Sequence, residues 1–205
     1  MSRHSAEPIK QENDMTTNDR SLDGNTSSAM AASVWIAGVA ALCVGGSYVY
    51  ACAAPFAAIA ALAALKMDRK SGLALVIVAW MANQAIGFAV LDYPHTANTY
   101  AWGLAIGAAA IAGFFAARAI AATEKAPAVT TVTAFAASFI FYQVGLYAAS
   151  FALGGSDYAF SLEIVGYVLR VNAMAFVGLL ILSRAVVALN AIRGSEVSTA
   201  ATREV

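Results

Sequence analysis

Charge is what this sequence most lacks. Only 12% of its 205 residues are Asp, Glu, Lys or Arg, where a soluble domain carries about a quarter. The 12 basic and 12 acidic residues cancel to a formal net charge of zero. That balance excludes a nucleic-acid binder held by basic charge and an acidic, disordered chain. Histidine is nearly absent as well: His4 and His95 are the only two, and His4 sits in a polar tail. A b-type haem held by two axial histidines is thereby excluded. No lysine falls within the long apolar runs, so there is no candidate for a retinal-type Schiff base. The H-E-x-x-H helix, the G-x-S-x-G elbow and the Walker phosphate loop are all missing. So are the acidic pairs of a metal-dependent lipid-phosphate transferase and the buried carboxylate chain of an ion pump. The expectation is a protein that is not an enzyme and carries neither cofactor nor metal.

What is present is apolar length. Hydrophobic residues make up 60% of the chain, alanine alone supplies 49, and the mean hydropathy is +0.70. Residues 24–65, 71–91, 93–117, 126–156 and 171–183 carry no charge. A helix needs about 20 apolar residues to cross a hydrocarbon core roughly 30 Å thick. The first run is long enough for two spans, broken at Gly45-Gly46-Ser47, since glycine is poor in helix interiors and good in turns. The reading is an all-α integral membrane bundle of six helices, over 29–46, 50–66, 71–92, 99–120, 128–152 and 161–189. A barrel does not fit, because no run alternates with period two, and helices are the other way to satisfy backbone polar groups in lipid.

Basic residues set the orientation. Lys66, Arg69 and Lys70 lie between the second and third spans, Arg118 and Lys125 around the fourth-to-fifth turn, and Arg184, Arg193 and Arg203 at or after the sixth. The other three loops have no Lys or Arg. The positive-inside rule places the basic loops and both termini in the cytoplasm, and the expected location is a bacterial inner membrane. Residues 1–28 and 191–205 read as polar cytoplasmic tails around a transmembrane domain at 29–190.

The eight tyrosines fall in the outer half of this arrangement or near its middle, joined by Trp102. One explanation is an interfacial aromatic belt; the other is an outward-facing pocket. Between the third and fourth spans runs Asp92-Tyr93-Pro94-His95-Thr96-Ala97-Asn98-Thr99-Tyr100, in which Pro94 ends the preceding helix. It reads as a wet connector or as a lid over a shallow cavity. Asp92 and His95 are a single pair, fewer than the three or four ligands a metal usually needs. Asn83, Gln84 and Gln143 lie within spans, where amides either bond across helices or read a ligand. Arg170, about a third of the way into the last span, and Glu163, seven residues earlier on nearly the same face, either snorkel to the surface or form part of a site. Arg118 reads as a snorkelling residue. Cys43 and Cys52 flank the first outer turn, with pairing left open. Ala37-x-x-x-Ala41 and Gly103-x-x-x-Gly107, with Gly113 beyond, permit close helix approach, inside the bundle or against another subunit.

In this architecture, and in Ala37 and Ala41, the chain resembles the substrate-capture subunits of energy-coupling-factor vitamin transporters. The resemblance implies a pocket near the outer face for a vitamin-like polar small molecule. It also implies docking through Ala37 and Ala41 on a scaffold driven by ATPase subunits, with membrane lipid as surroundings and no nucleic acid as partner. The candidate lining is Asn83, Gln84, Asp92, Tyr93, His95, Tyr142, Gln143, Glu163 and Arg170. A non-transport accessory or assembly subunit of a larger membrane complex is the alternative reading, and a quinone- or redox-linked subunit is a weaker one.

Overall fold

The computed structural model describes residues 54–123, 126–155 and 157–203, with side chains as far as residue 188. The expected first span 29–46, the tail at 1–28, the Gly45-Gly46-Ser47 turn, Ala37, Ala41, Cys43 and Cys52 lie outside the described residues. Every element within them is helical: α1 Phe56–Lys66, α2 Arg69–Ala89, α3 Ala97–Ala121, α4 Pro127–Leu153, a 3-10 turn Asp157–Phe160, and α5 Leu162–Arg203.

Four of these helices are long and apolar enough to cross a membrane: α2, α3, α4 and the Leu162–Ala188 part of α5. They occupy the segments expected as the last four spans. Leu104, Val132, Ile140, Phe151, Ile181 and Val187 are all exposed. Such continuous apolar surface is a liability in water and the ordinary state of a helix in lipid. The described residues are all-helical, and their long apolar helices mark a membrane protein.

The segment expected as a second span behaves differently. Its described helix, α1, has 11 residues, a rise of only about 16 Å. From Phe56 to Ala64 no residue is more than 4% exposed. The sequence FAAIAALAALK explains this. With alanine at most positions, neighbouring helices come close on all sides, and no polar stripe reserves a face for anything else. Helices α2, α3, α4 and α5 all pack on α1, which makes it the axis of the bundle.

A helix buried on every face cannot leave its terminal N–H and C=O groups to water. Pro55, at the N-cap, offers no capping side chain. Asn172 of α5, fully buried, supplies the cap from another helix: its Oδ1 accepts from the Ala58 N–H at 3.2 Å. Its own Nδ2 donates to Val168 O at 3.0 Å. The Ser138 hydroxyl of α4 donates to Ala57 O at 2.9 Å. At the other end, Arg118 Nη1 donates to Met67 O at 2.6 Å and to Ala64 O at 3.4 Å. Arg118 was expected to snorkel; instead it closes the C-terminus of α1, where a cation also complements the helix dipole.

The glycines of α3 serve packing within the bundle. The Trp80 ring lies against Gly107, where a Cβ would come within 2.8 Å of it, and Trp80 Nε1 donates to Gly103 O at 2.8 Å. Gly113 faces α4, where a Cβ would meet Ser138 O at 2.8 Å. Phe135 and Phe176 stack with centroids 4.7 Å apart and join α4 to α5. The α5 helix continues to Arg203, through residues 191–203 that were expected as tail. No proline follows Pro127 in the sequence to stop it.

Candidate functional site

At the end of the bundle opposite Lys66, Arg69, Lys70 and Arg118 lies a cavity of about 380 Å³. This is within the range of small-molecule pockets, toward its lower end. Trp102 and Ile106 come from the first turns of α3, and Tyr142, Gln143 and Leu146 from the far half of α4. Gly155, Ala159 and Phe160 come from the connection after α4, and Ile164, Tyr167 and Val168 from the start of α5. Ala54, just before α1, completes the lining.

Local sequence explains why the wall forms here. Gly154 ends α4 at a φ of 72°, a left-handed conformation that glycine adopts without steric cost. The chain then turns through Asp157–Phe160. Phe160 packs edge-on against Tyr147, centroids 5.1 Å apart, which anchors the turn to α4. The Ser161 hydroxyl accepts from Ile164 N–H at 3.4 Å as α5 begins. Gly155 lies close to Trp102, where a Cβ would approach the indole to 3.7 Å.

The polar groups of the lining are few and of one kind. Among the described residues, no Asp, Glu, Lys, Arg or His lines the cavity. Tyr142 is only 6% exposed, with its ring 6.2 Å from that of Phe56. The Tyr142 hydroxyl, the Gln143 amide and the Trp102 Nε1–H have no hydrogen-bond partner among the described residues. No sealed side-chain polar atom among those residues lacks a partner. These three groups are therefore not sealed inside protein, and the three residues that carry them line the same cavity.

Of the nine lining candidates read from the sequence, the structure brings Tyr142 and Gln143 to the cavity. Asn83 and Gln84 sit on α2, and Gln84 packs against Gly103, where a Cβ would come within 3.2 Å of its Cδ. The outer loop folds over α2 instead of over the cavity. Asp92 takes a φ of 51°, a left-handed turn that aspartate tolerates better than most residues. Tyr93 then doubles back, its N–H donating to Gly87 O at 3.0 Å. Phe88 stacks on Tyr100 at 4.8 Å and lies 5.3 Å from His95, whose Nδ1 is 2.7 Å from the Tyr100 hydroxyl. This cluster closes the end of the α2–α3 hairpin and contributes nothing to the lining. Glu163 and Arg170 are exposed on α5, and Arg170 Nε donates to Gly166 O of its own helix at 3.4 Å.

Trp102 and Tyr167 belong to the outer aromatic set, for which the sequence leaves a belt and a pocket open, and nothing in the sequence singles out Phe160. No protein-family model, no curated protein and no solved structure matches the chain.

Proposed function

We propose that this protein captures a small molecule in the cavity between α3, α4 and α5 and serves its uptake across a membrane. The observation that carries the reading is the cavity itself: an apolar hollow lined by Tyr142, Gln143 and Trp102, whose hydroxyl, amide and indole N–H have no partner among the described residues. Such convergence of a few polar groups in an apolar pocket is the usual form of a small-molecule site. A lipid-bathed bundle with no ligand would more cheaply fill that space with side chains, because unfilled space forfeits dispersion contacts.

The basic residues at the far end favour the cavity facing outward, with that end in the cytoplasm. With a further span at 29–46, the count becomes six and both termini are cytoplasmic. A small six-span capture protein without energy-coupling motifs of its own fits a subunit of a larger uptake system, as the resemblance to energy-coupling-factor capture subunits implies. A bacterial inner membrane is the location that goes with it.

Native mass spectrometry of the full chain, mildly extracted from its own membranes, tests the reading. A retained small molecule, lost on Gln143→Leu and Trp102→Ala, is the expected result. Retained protein partners with no small molecule would overturn it in favour of an accessory or assembly role.

A further inference from the structure

We infer that the ligand is an uncharged, planar aromatic compound with hydrogen-bonding groups at its edge, held between Trp102 and Tyr167 and read by Tyr142 and Gln143. The inference rests on the capture reading and specifies its chemistry.

Charge is the first argument. Among the described residues, the lining holds no ionisable side chain other than tyrosine. Arg170 and Glu163, the charged groups nearest in sequence on α5, are exposed. A charge moved into such a site without a counter-charge loses hydration, which the ring faces return only in part and only to a cation. The first turn of α1 does not supply the missing compensation for an anion. Three of its four amides are already taken: Phe56 N–H donates to Ala54 O at 2.8 Å, Ile59 N–H to Pro55 O at 3.1 Å, and Ala58 N–H to Asn172 at 3.2 Å.

Shape is the second. Trp102, Tyr142, Phe160 and Tyr167 give the cavity four aromatic rings, which pack best against another flat ring, offset or edge-on. The volume of about 380 Å³ accommodates a bicyclic compound.

Hydrogen bonding is the third. The open groups comprise a hydroxyl that donates and accepts, an amide that donates and accepts, and an indole that only donates. Their surplus of donors matches a ligand edge carrying a carbonyl or ring nitrogen together with an N–H or O–H. A hydrocarbon would leave all three groups desolvated and unpaired, which is costly.

The experiment is equilibrium dialysis of the full-length chain in lipid nanodiscs against three probes that share one ring system: 2-naphthamide (neutral), 2-naphthoate (anionic) and 2-naphthylmethylammonium (cationic). Nanodiscs with Trp102→Ala or Gln143→Leu protein correct for partition into lipid. We expect saturable binding of the amide, weakened at least about tenfold in either variant, with both charged probes at least about tenfold weaker on the wild type. A charged probe binding as tightly as the amide, and still sensitive to the variants, overturns the neutral class and leaves the capture reading standing. Amide binding that the two variants do not change overturns the assignment to this cavity. Saturable binding of none of the three overturns the inferred class. The capture reading falls with it only if native mass spectrometry also finds no retained small molecule.

Discussion

Replacing Asn172 by leucine removes one hydrogen bond at the centre of the bundle. The two side chains share a branching pattern and heavy-atom count, leucine being the bulkier, so the substitution opens no space, and any overpacking adds to the polar loss. Asn172 is fully buried and caps Ala58 N–H at 3.2 Å, while Pro55 has no side chain able to take over. Loss of an N-cap costs about 0.5–2 kcal/mol. A buried amide left without an acceptor costs about 1–3 kcal/mol. These describe the same group from two directions and are not added. Val168 O keeps its place in the helix ladder after losing Nδ2, so that bond adds little. The expected loss is about 1.5–3 kcal/mol. It can be read as the shift in equilibrium unfolding by dodecyl sulfate in mixed micelles, followed by far-ultraviolet circular dichroism. Asn172→Ala should lose more, because a cavity is added to the missing bond. A leucine variant within about 0.5 kcal/mol of wild type would refute the claim that α1 needs a cap from another helix.

Four further outcomes are expected. Arg118→Met should lower stability in the same assay by about 2–3 kcal/mol, since a charge-assisted bond to Met67 O disappears, and Arg118→Lys should restore only part of it. Gly113→Val should cost about 1–3 kcal/mol, because its Cβ would meet the Ser138 carbonyl oxygen at 2.8 Å; an unchanged midpoint would mean that α3 and α4 are not so close. The Asp68 carboxyl is held below its ordinary value of 3.8 by the Ser71 hydroxyl foremost, then by the Ser71 and Lys70 backbone amides. Its contribution is therefore complete above that ordinary value and lost as pH falls through the lower folded one. The gap in thermal midpoint between wild type and Asp68→Ala should stay constant from about pH 8 to pH 5 and close below about pH 4. Arg170→Ala and His95→Ala should leave retention of the small molecule unchanged in native mass spectra, since neither residue lines the cavity; loss of ligand in either would return the site to the outer loop or the face of α5.

The membrane class and the last four spans were legible because the signal is local. Charge-free runs of the right length, with Pro94 and Pro127 at their margins, mark helices that single-segment reasoning can find. The site was legible only in part. Tyr142 and Gln143 stood out as polar groups within a span, and both line the cavity. The outer loop also stood out for polarity, yet a left-handed Asp92 turns it onto Gly87 and Phe88. That bend depends on packing against α2 and leaves no mark in composition. Asn172, Ser138 and Arg118 act on α1 across 114, 81 and 51 residues of sequence respectively. Each looks like an ordinary isolated polar residue until the bundle brings α1 beside it.

Most membrane helices have a lipid side on which substitutions are cheap, so tolerance to change rises and falls with the helical period. The residues Phe56–Ala64 of α1 have no such side. A complete substitution scan should show them as an unbroken block of intolerance to added volume. Along α4, by contrast, tolerance should oscillate between buried positions such as Ala134 and Ser138 and exposed ones such as Val132 and Ile140. For α1 the freedom to vary is set by the helices packed around it together, and any drift in its sequence must be answered by drift in theirs.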